Sequence, residues 1–252
     1  MAAIRHLDRA PITEALVDFK ATLPDDFPVE KLGSVGSQIR SDYPTREEQK
    51  TFQAFFRFGE KGTFEATSDA AKEVGLRGYL FRSQDGRRVV QFRRDGFTFN
   101  RLTPYTTWDE VREEALRLWD VYREVAQPGR VERLALRYLN RLTIPPRGHL
   151  GTYLEVTPPV IPGMPSHLGS FLMRLSSVDP ESLYLSNVTL ALEQDATDPA
   201  RSVIILDIEA YTGTGLGLSR EELLPILERL HVMKNETFFG CITEETARIH
   251  GG

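Results

Sequence analysis

Apolar and polar positions alternate at a period of two near the start of the chain. In Pro11 to Lys20, Ile12, Val17 and Phe19 are strand formers set between polar residues, which predicts a β-strand. Pro24 and Pro28 break this rhythm, and Val29, Leu32, Val35, Ile39 and Tyr43 then recur at helical spacing. Gly33 and Gly36 weaken that helix. From Thr51 to Leu102 the pattern is β again: Phe52 to Phe58, a broken middle, then segments joined by the hairpin signals Asp85-Gly86 and Asp95-Gly96. Trp108, Val111, Ala115, Leu118, Trp119, Tyr122 and Val125 next describe one wide apolar helical face, ended by Pro128-Gly129.

A second cycle starts with a strand over Arg130 to Ile144, closed by Pro145-Pro146. A proline-rich connection, Thr157 to Pro165, leads to apolar positions around His167 to Leu175 whose spacing predicts a helix. Leu183 to Glu193 and Ser202 to Tyr211 read as antiparallel strands separated by a polar loop, Gln194 to Ala200. Glycine-rich sequence, Thr212 to Gly217, then delivers a helix from Arg220 to about His231. Thr107 to Glu110 and Ser219 to Glu222 both have the Ser/Thr-x-x-Glu form in which a hydroxyl and a carboxylate cap the first amides of a helix.

The expected fold class is therefore α+β, built as two similar halves, residues 1–129 and 130–252, within one structural unit. Each half runs strand, helix, antiparallel strands, helix, as a pseudo-duplication. Its sheets either join edge to edge or pack as a pair, with helices covering one side.

Composition narrows the function classes. The 252 residues are 40% hydrophobic and 27% charged, which is ordinary for a folded globular chain with a substantial core. A formal net charge of −5 argues against a dedicated nucleic-acid coat, although it leaves room for a local basic face. The single cysteine, Cys241, excludes an intrachain disulfide, and the five histidines show no metal-ligand spacing. No stretch has the apolar length of a signal or a membrane span, so a cytoplasmic protein without a membrane partner is expected.

Candidate chemistry concentrates on one strand. Alternation places Arg133, Arg137 and Arg141 on one face with Ala135 and Leu139, and Leu134, Leu136, Tyr138 and Leu142 on the other. Guanidinium groups four residues apart lie about 13 Å apart, a spacing for successive phosphates or separate carboxylates rather than for one phosphate. Arg133, Arg137, Tyr138, Asn140 and Arg141 are the predicted partner- or anion-binding set. Arg82, Arg87, Arg88, Arg93, Arg94 and Arg101 on the hairpins add basic character, with Phe97 or Phe99 available to stack on bases of a single strand. Asp207 and Glu209 share a strand face, where they either pair with these arginines or form a minimal metal pair. The glycine-rich loop at Gly213 to Gly217 lacks the lysine of a P-loop. Ser176, Ser177 and Ser186 have no nucleophile-elbow context, and Cys241 has no identifiable base. No catalytic residue and no cofactor is predicted.

Several of these segments together resemble a sporadically distributed family of uncharacterised prokaryotic proteins of about 250 residues. The likeness rests on Ala10-Pro11-Ile12 with Glu14-Ala15, on Asp95-Gly96-Phe97 through Pro104-Tyr105 to Trp108, and on Arg133 through Leu136-Arg137-Tyr138 to Asn140-Arg141. Leu206-Asp207-Ile208, Leu230-His231 and Phe238-Phe239 also fit. The resemblance implies a complete unit and brings no activity or cofactor. Its patchy distribution suggests a toxin–antitoxin or defence context. The leading expectation is a non-enzymatic recognition or regulatory protein binding a protein or nucleic-acid partner, with homo-oligomerisation open. The alternatives are a nucleotide- or phosphate-processing enzyme using the arginine face with Asp207 and Glu209, and a small-ligand binder using the concavity between sheet and helices.

Overall fold

The computed structural model describes residues 7–53, 56–58, 64–66, 72–144, 149–159, 161–165, 168–194 and 201–251. In chain order the elements are β1 (Ile12–Thr22), a 3-10 turn (Val29–Ser34) running into α1 (Val35–Ile39), β2 (Thr45–Gln53), β3 (Phe56–Phe58), β4 (Phe64–Ala66), β5 (Lys72–Arg82), β6 (Arg88–Arg93) and β7 (Gly96–Leu102). Then come α2 (Trp108–Ala126), β8 (Arg130–Ile144), a 3-10 turn (Leu150–Thr152), β9 (Phe171–Val178), β10 (Leu185–Gln194), β11 (Ser202–Thr212), α3 (Arg220–Cys241) and α4 (Glu244–Ile249). Nine strands form one antiparallel sheet in the order β2-β5-β6-β7-β1-β8-β11-β10-β9, and β3 and β4 form a separate hairpin.

This corrects the expected pair of strand–helix–strands–helix halves: the molecule is dominated by a single continuous sheet, and the strand–helix alternation is not its plan. The decisive departure is the segment predicted as a helix around His167 to Leu175. His167 lies outside the described residues, but Phe171–Val178 is strand β9, paired with β10 without interruption from Leu192↔Phe171 to Leu185↔Val178. The apolar spacing there marks no buried stripe, since Leu172 is 75% exposed and Leu175 48%. Once β10 is laid down, its outer edge carries a row of backbone donors and acceptors that a neighbouring strand satisfies better than a short exposed helix could. The first expected helix is also cut down, to a 3-10 turn and the five residues of α1. Gly33 and Gly36 serve packing there: a β-carbon at Gly36 would stand 2.9 Å from the Phe81 ring, and one at Gly33 3.1 Å from Tyr79. The predicted polar loop after Gln194 falls outside the described residues up to residue 200.

The sheet has two unlike faces because its strands alternate. Ala15, Val17 and Phe19 of β1, Phe97 and Phe99 of β7, and Leu134, Leu136 and Tyr138 of β8 are buried against the helices. Trp119 of α2 is fully buried, stacks on Phe19 at 4.5 Å and donates its indole N–H to the Leu218 carbonyl at 3.0 Å. Phe97 and Phe99 therefore belong to the core and do not reach a strand-binding surface, which corrects the stacking role considered for them. Both predicted helix starts occur. Thr107 accepts the Glu110 amide at α2, and Ser219 with Glu222 makes both halves of the reciprocal cap at α3. α3 runs on to Cys241, well past His231. No helix among the described residues is long and apolar enough to cross a membrane.

Removing the Trp119 ring leaves a cavity between α2 and β1 and leaves the Leu218 carbonyl with Arg123 as its donor. Trp119→Ala is expected to lower the unfolding free energy by about 3–5 kcal/mol, measured by chemical denaturation. A change below about 1 kcal/mol would mean that this helix face is not core.

Candidate functional site

Strand β8 lies in the middle of the sheet, between β1 and β11, and its pleat divides the predicted site residues. Arg133, Arg137 and Arg141 rise on the face without helices, while Tyr138 and Asn140 point beneath the sheet, Tyr138 at 1% and Asn140 at 2% exposure. The five residues thus form no single cluster. Two separate environments result.

On the open face the basic groups meet carboxylates. Arg137 stands directly opposite Glu209 in the β8–β11 register but turns to Asp207, gripping both oxygens at 2.8 and 2.6 Å. Arg133 leans across the Tyr211 ring, 4.2 Å from its centroid, to reach Glu209 at 2.6 Å. Asp18 on β1 continues the lattice, accepting from Arg93 at 3.1 Å and Thr98 at 2.5 Å and lying 3.6 Å from Arg133. Burial by itself would raise the Glu209 carboxyl, but the bonds from Arg133 and from Asn187 outweigh it and hold it below its ordinary value. The Asp207 bond raises Arg137 further. Asp207 and Glu209 are thereby engaged as acceptors for guanidinium, and no group of three or more potential metal ligands occurs among the described residues. Diagonal cross-strand pairing accounts for this face without a ligand. Arg141 is exposed at the far end of the strand.

Beneath the sheet, Asn140 lines a cavity of about 210 Å³ closed by Tyr105 and Trp108 at the start of α2 and by His231, Lys234 and Phe238 of α3. Tyr138 backs it, packed edge-on against Tyr105 and under Lys234. His231, Lys234, Asn235 and Phe238 follow the i, i+3, i+4, i+7 rule and so present one helical face to it. Lys234 is the unusual member, being 6% exposed with no carboxylate among the described residues paired to it. Its ammonium sits 3.8 Å over the Tyr138 ring and donates to Asn235 Oδ1 at 2.6 Å. With that oxygen occupied, the Asn235 amide N–H faces His231 Nε2 at 3.2 Å, which makes this nitrogen an acceptor and the imidazole neutral. The His231 ring stacks on Trp108 at 4.5 Å, and the indole donates to Glu228 at 3.1 Å. Asn140 donates to the Leu206 carbonyl at 2.9 Å, and the Tyr105 and Tyr138 hydroxyls lie 3.4 Å apart.

Burial sets the protonation of this cluster. It lowers Lys234 to about 7, and it lowers His231 to about 3 with help from the charges of Lys234 and Arg112. Burial also raises both tyrosines, Tyr138 far above its ordinary value. The cavity therefore offers hydroxyl donors and an amine whose charge is decided near neutrality.

Sequence reasoning misses Lys234, His231 and Asn235 as a group because it ends the helix near His231. A signal is present: Leu223, Leu227, Leu230, Lys234, Phe238 and Cys241 keep the helical period of buried positions, so a lysine occupies a core slot. Four segments remote from one another in sequence converge here, through Pro11 and Ile12, Tyr105 and Trp108, Asn140, and His231 and Phe238. Scanned against models of protein families and against curated proteins, the chain matches none.

The lysine makes stability pH-dependent with a definite sign. Its folded-state value lies near 7 against an ordinary 10.5, so between these the unfolded chain binds a proton that the folded one does not. Stability attributable to Lys234 then rises with pH through that window, at up to about 1.4 kcal/mol per pH unit. Denaturation of wild type and Lys234→Met between roughly pH 7.5 and 9.5 is expected to show this slope only in the wild type; parallel curves would contradict it.

Proposed function

We propose that this protein recognises a small ligand, and that the ligand is a compact carboxylate seated in the cavity beneath β8. One observation carries the reading: Lys234 is buried beside a cavity, and no carboxylate among the described residues balances its charge. A buried cation lacking a counterion is unfavourable, and proteins ordinarily pair such a group. An incoming carboxylate supplies the missing charge, and Tyr105, whose hydroxyl lies 3.4 Å from that of Tyr138 behind it, brings a hydroxyl donor to the cavity wall. Leu7, Ile12, Pro11 and Phe238 line the remaining wall and suit a short apolar body. At about 210 Å³ the space is smaller than the ~300 Å³ at which drug-sized sites begin, which limits the ligand to a few carbon atoms or one ring.

The open-face arginines favour this reading over surface capture of a partner and over phosphoryl transfer, because Arg133 and Arg137 are already held by Glu209 and Asp207. Binding and protonation are linked: an anion raises the affinity of Lys234 for its proton, so complex formation above neutrality takes up a proton.

Calorimetric titration with hexanoate and benzoate as probes tests the proposal. Saturable binding is expected at pH 6, weakening by about tenfold per pH unit once pH exceeds that of Lys234 deprotonation. Lys234→Met should bind about 10–100-fold more weakly, the loss of one charged hydrogen bond. Equal affinity in the variant, or no heat with either probe at pH 6, would overturn the reading.

A further inference from the structure

A second group of cations lies elsewhere on the helix-covered side, at the outer ends of β6 and β7. Arg88 and Arg101 stand directly opposite each other in the β6–β7 register. Directly opposed residues share a face with β-carbons about 5 Å apart, and like charges in that relation destabilise a sheet. Both line a cleft of about 610 Å³ between the β6–β7 hairpin and the first turns of α2, with Arg117 and Arg220 on its other walls.

The two opposed arginines are not equally relieved. Arg88 lies 5.2 Å over the Tyr43 ring and 3.6 Å from Glu114. Arg101 Nε is buried without a hydrogen-bond partner. The acids nearby are taken by other groups. Glu114 accepts from Arg117 twice at 2.8 Å and from Tyr43; Glu113 pairs with Arg112 and Arg220. Asp85 lies in the field of Arg101 and accepts from Ser83 at 2.6 Å and from the Arg87 amide at 3.0 Å. Asp85, whose donors are both neutral, and Glu110, exposed on the cleft wall, are the remaining negative groups.

From this we infer that the Arg88–Arg101 cleft is a binding site for a tetrahedral oxyanion of the phosphate-monoester class. Two guanidinium groups on adjacent strands can converge on one tetrahedral anion, which arginines spaced along a single strand, as in β8, cannot do. The anion offers acceptors to the Arg88 and Arg101 guanidinium groups that line the cleft and removes the like-charge repulsion across β6 and β7. Asp85 and Glu110 restrict the site to a singly phosphorylated ligand, since further negative charge would meet their carboxylates. The site shares no residue with the walls of the cavity around Lys234 other than Thr106, which stands between the two.

The test uses the full chain and thermal melting at fixed ionic strength, followed by calorimetry, with inorganic phosphate, O-phosphoserine and AMP as separate probes and chloride as the control. At least one phosphate probe is expected to raise the melting temperature saturably. The arm with the tightest binding identifies whether the source is free phosphate, a phosphorylated residue or a nucleotide. Arg101→Met should weaken that binding by about tenfold or more and should melt no lower than wild type without anion, because it removes a repulsive partner. Arg88→Met provides a second reading should Arg101→Met fold poorly, and it too should bind more weakly. Lys234→Met and Arg137→Met should respond to phosphate as wild type does, which separates this site from the carboxylate cavity and from the open face. An unchanged response in both arginine variants of the cleft, or a shift in wild type no larger than chloride gives, would overturn the inference.

Discussion

The antiparallel pairing of β1 with β8 at the centre of the sheet aligns Val17 with Leu136 and Phe19 with Leu134 on the face that α2 and α3 cover, and Asp18 with Ala135 on the face they leave open. The rest of the molecule depends on that alignment. A slip of one residue would turn one strand over relative to the other, and a slipped β8 would bury arginines and expose leucines. The register is held from both sides, by aromatic and aliphatic packing below and by carboxylate–guanidinium bonds above. The open-face lattice acts chiefly as a register device, since half-exposed ion pairs of this kind contribute only modestly to stability.

Cations in this protein occur in three states of compensation. Arg133 and Arg137 are paired across strands, so their fields close within the protein. Lys234 is compensated by an aromatic face and an amide oxygen, neither of which carries a full charge. Arg101 retains a nitrogen with no hydrogen-bond partner. The functional readings follow this order, because a ligand gains most where the protein has left a positive group least balanced. Abundance of arginine in a sequence is a poor guide to a site; how each cation is compensated within the fold is the better one.

Strand β8 shows how far the sequence could be read. Its alternation separates Arg133 and Arg137 from Leu134 and Leu136 as the pleat does, and Asp207 and Glu209 are recognisable as acidic neighbours from their own alternation. The wide apolar face of Trp108 to Val125 and the caps at Thr107 and Ser219 are equally visible, because each is a local signal. What stays hidden is non-local. Phe171 to Val178 is a strand only because β10 presents an edge to it, while its own spacing of leucines suggests a helix. Lys234 gains meaning only when the sheet brings Tyr138, remote in sequence, beneath its ammonium. Arg88 and Arg101 oppose each other through hairpin register, which the Asp95-Gly96 turn implies but which no single position displays.

Strand β9 ends the sheet with no further strand on its outer side among the described residues, and Arg174 is its lone charged residue. Leu172, Leu175 and Val178 lie open beside that row of backbone groups. Such a margin has neither the lysine nor the proline with which sheets ordinarily refuse further strands. An unguarded margin of this kind is a template on which another chain can pair, so a charge introduced at Leu172 or Val178 would change how the protein keeps on storage.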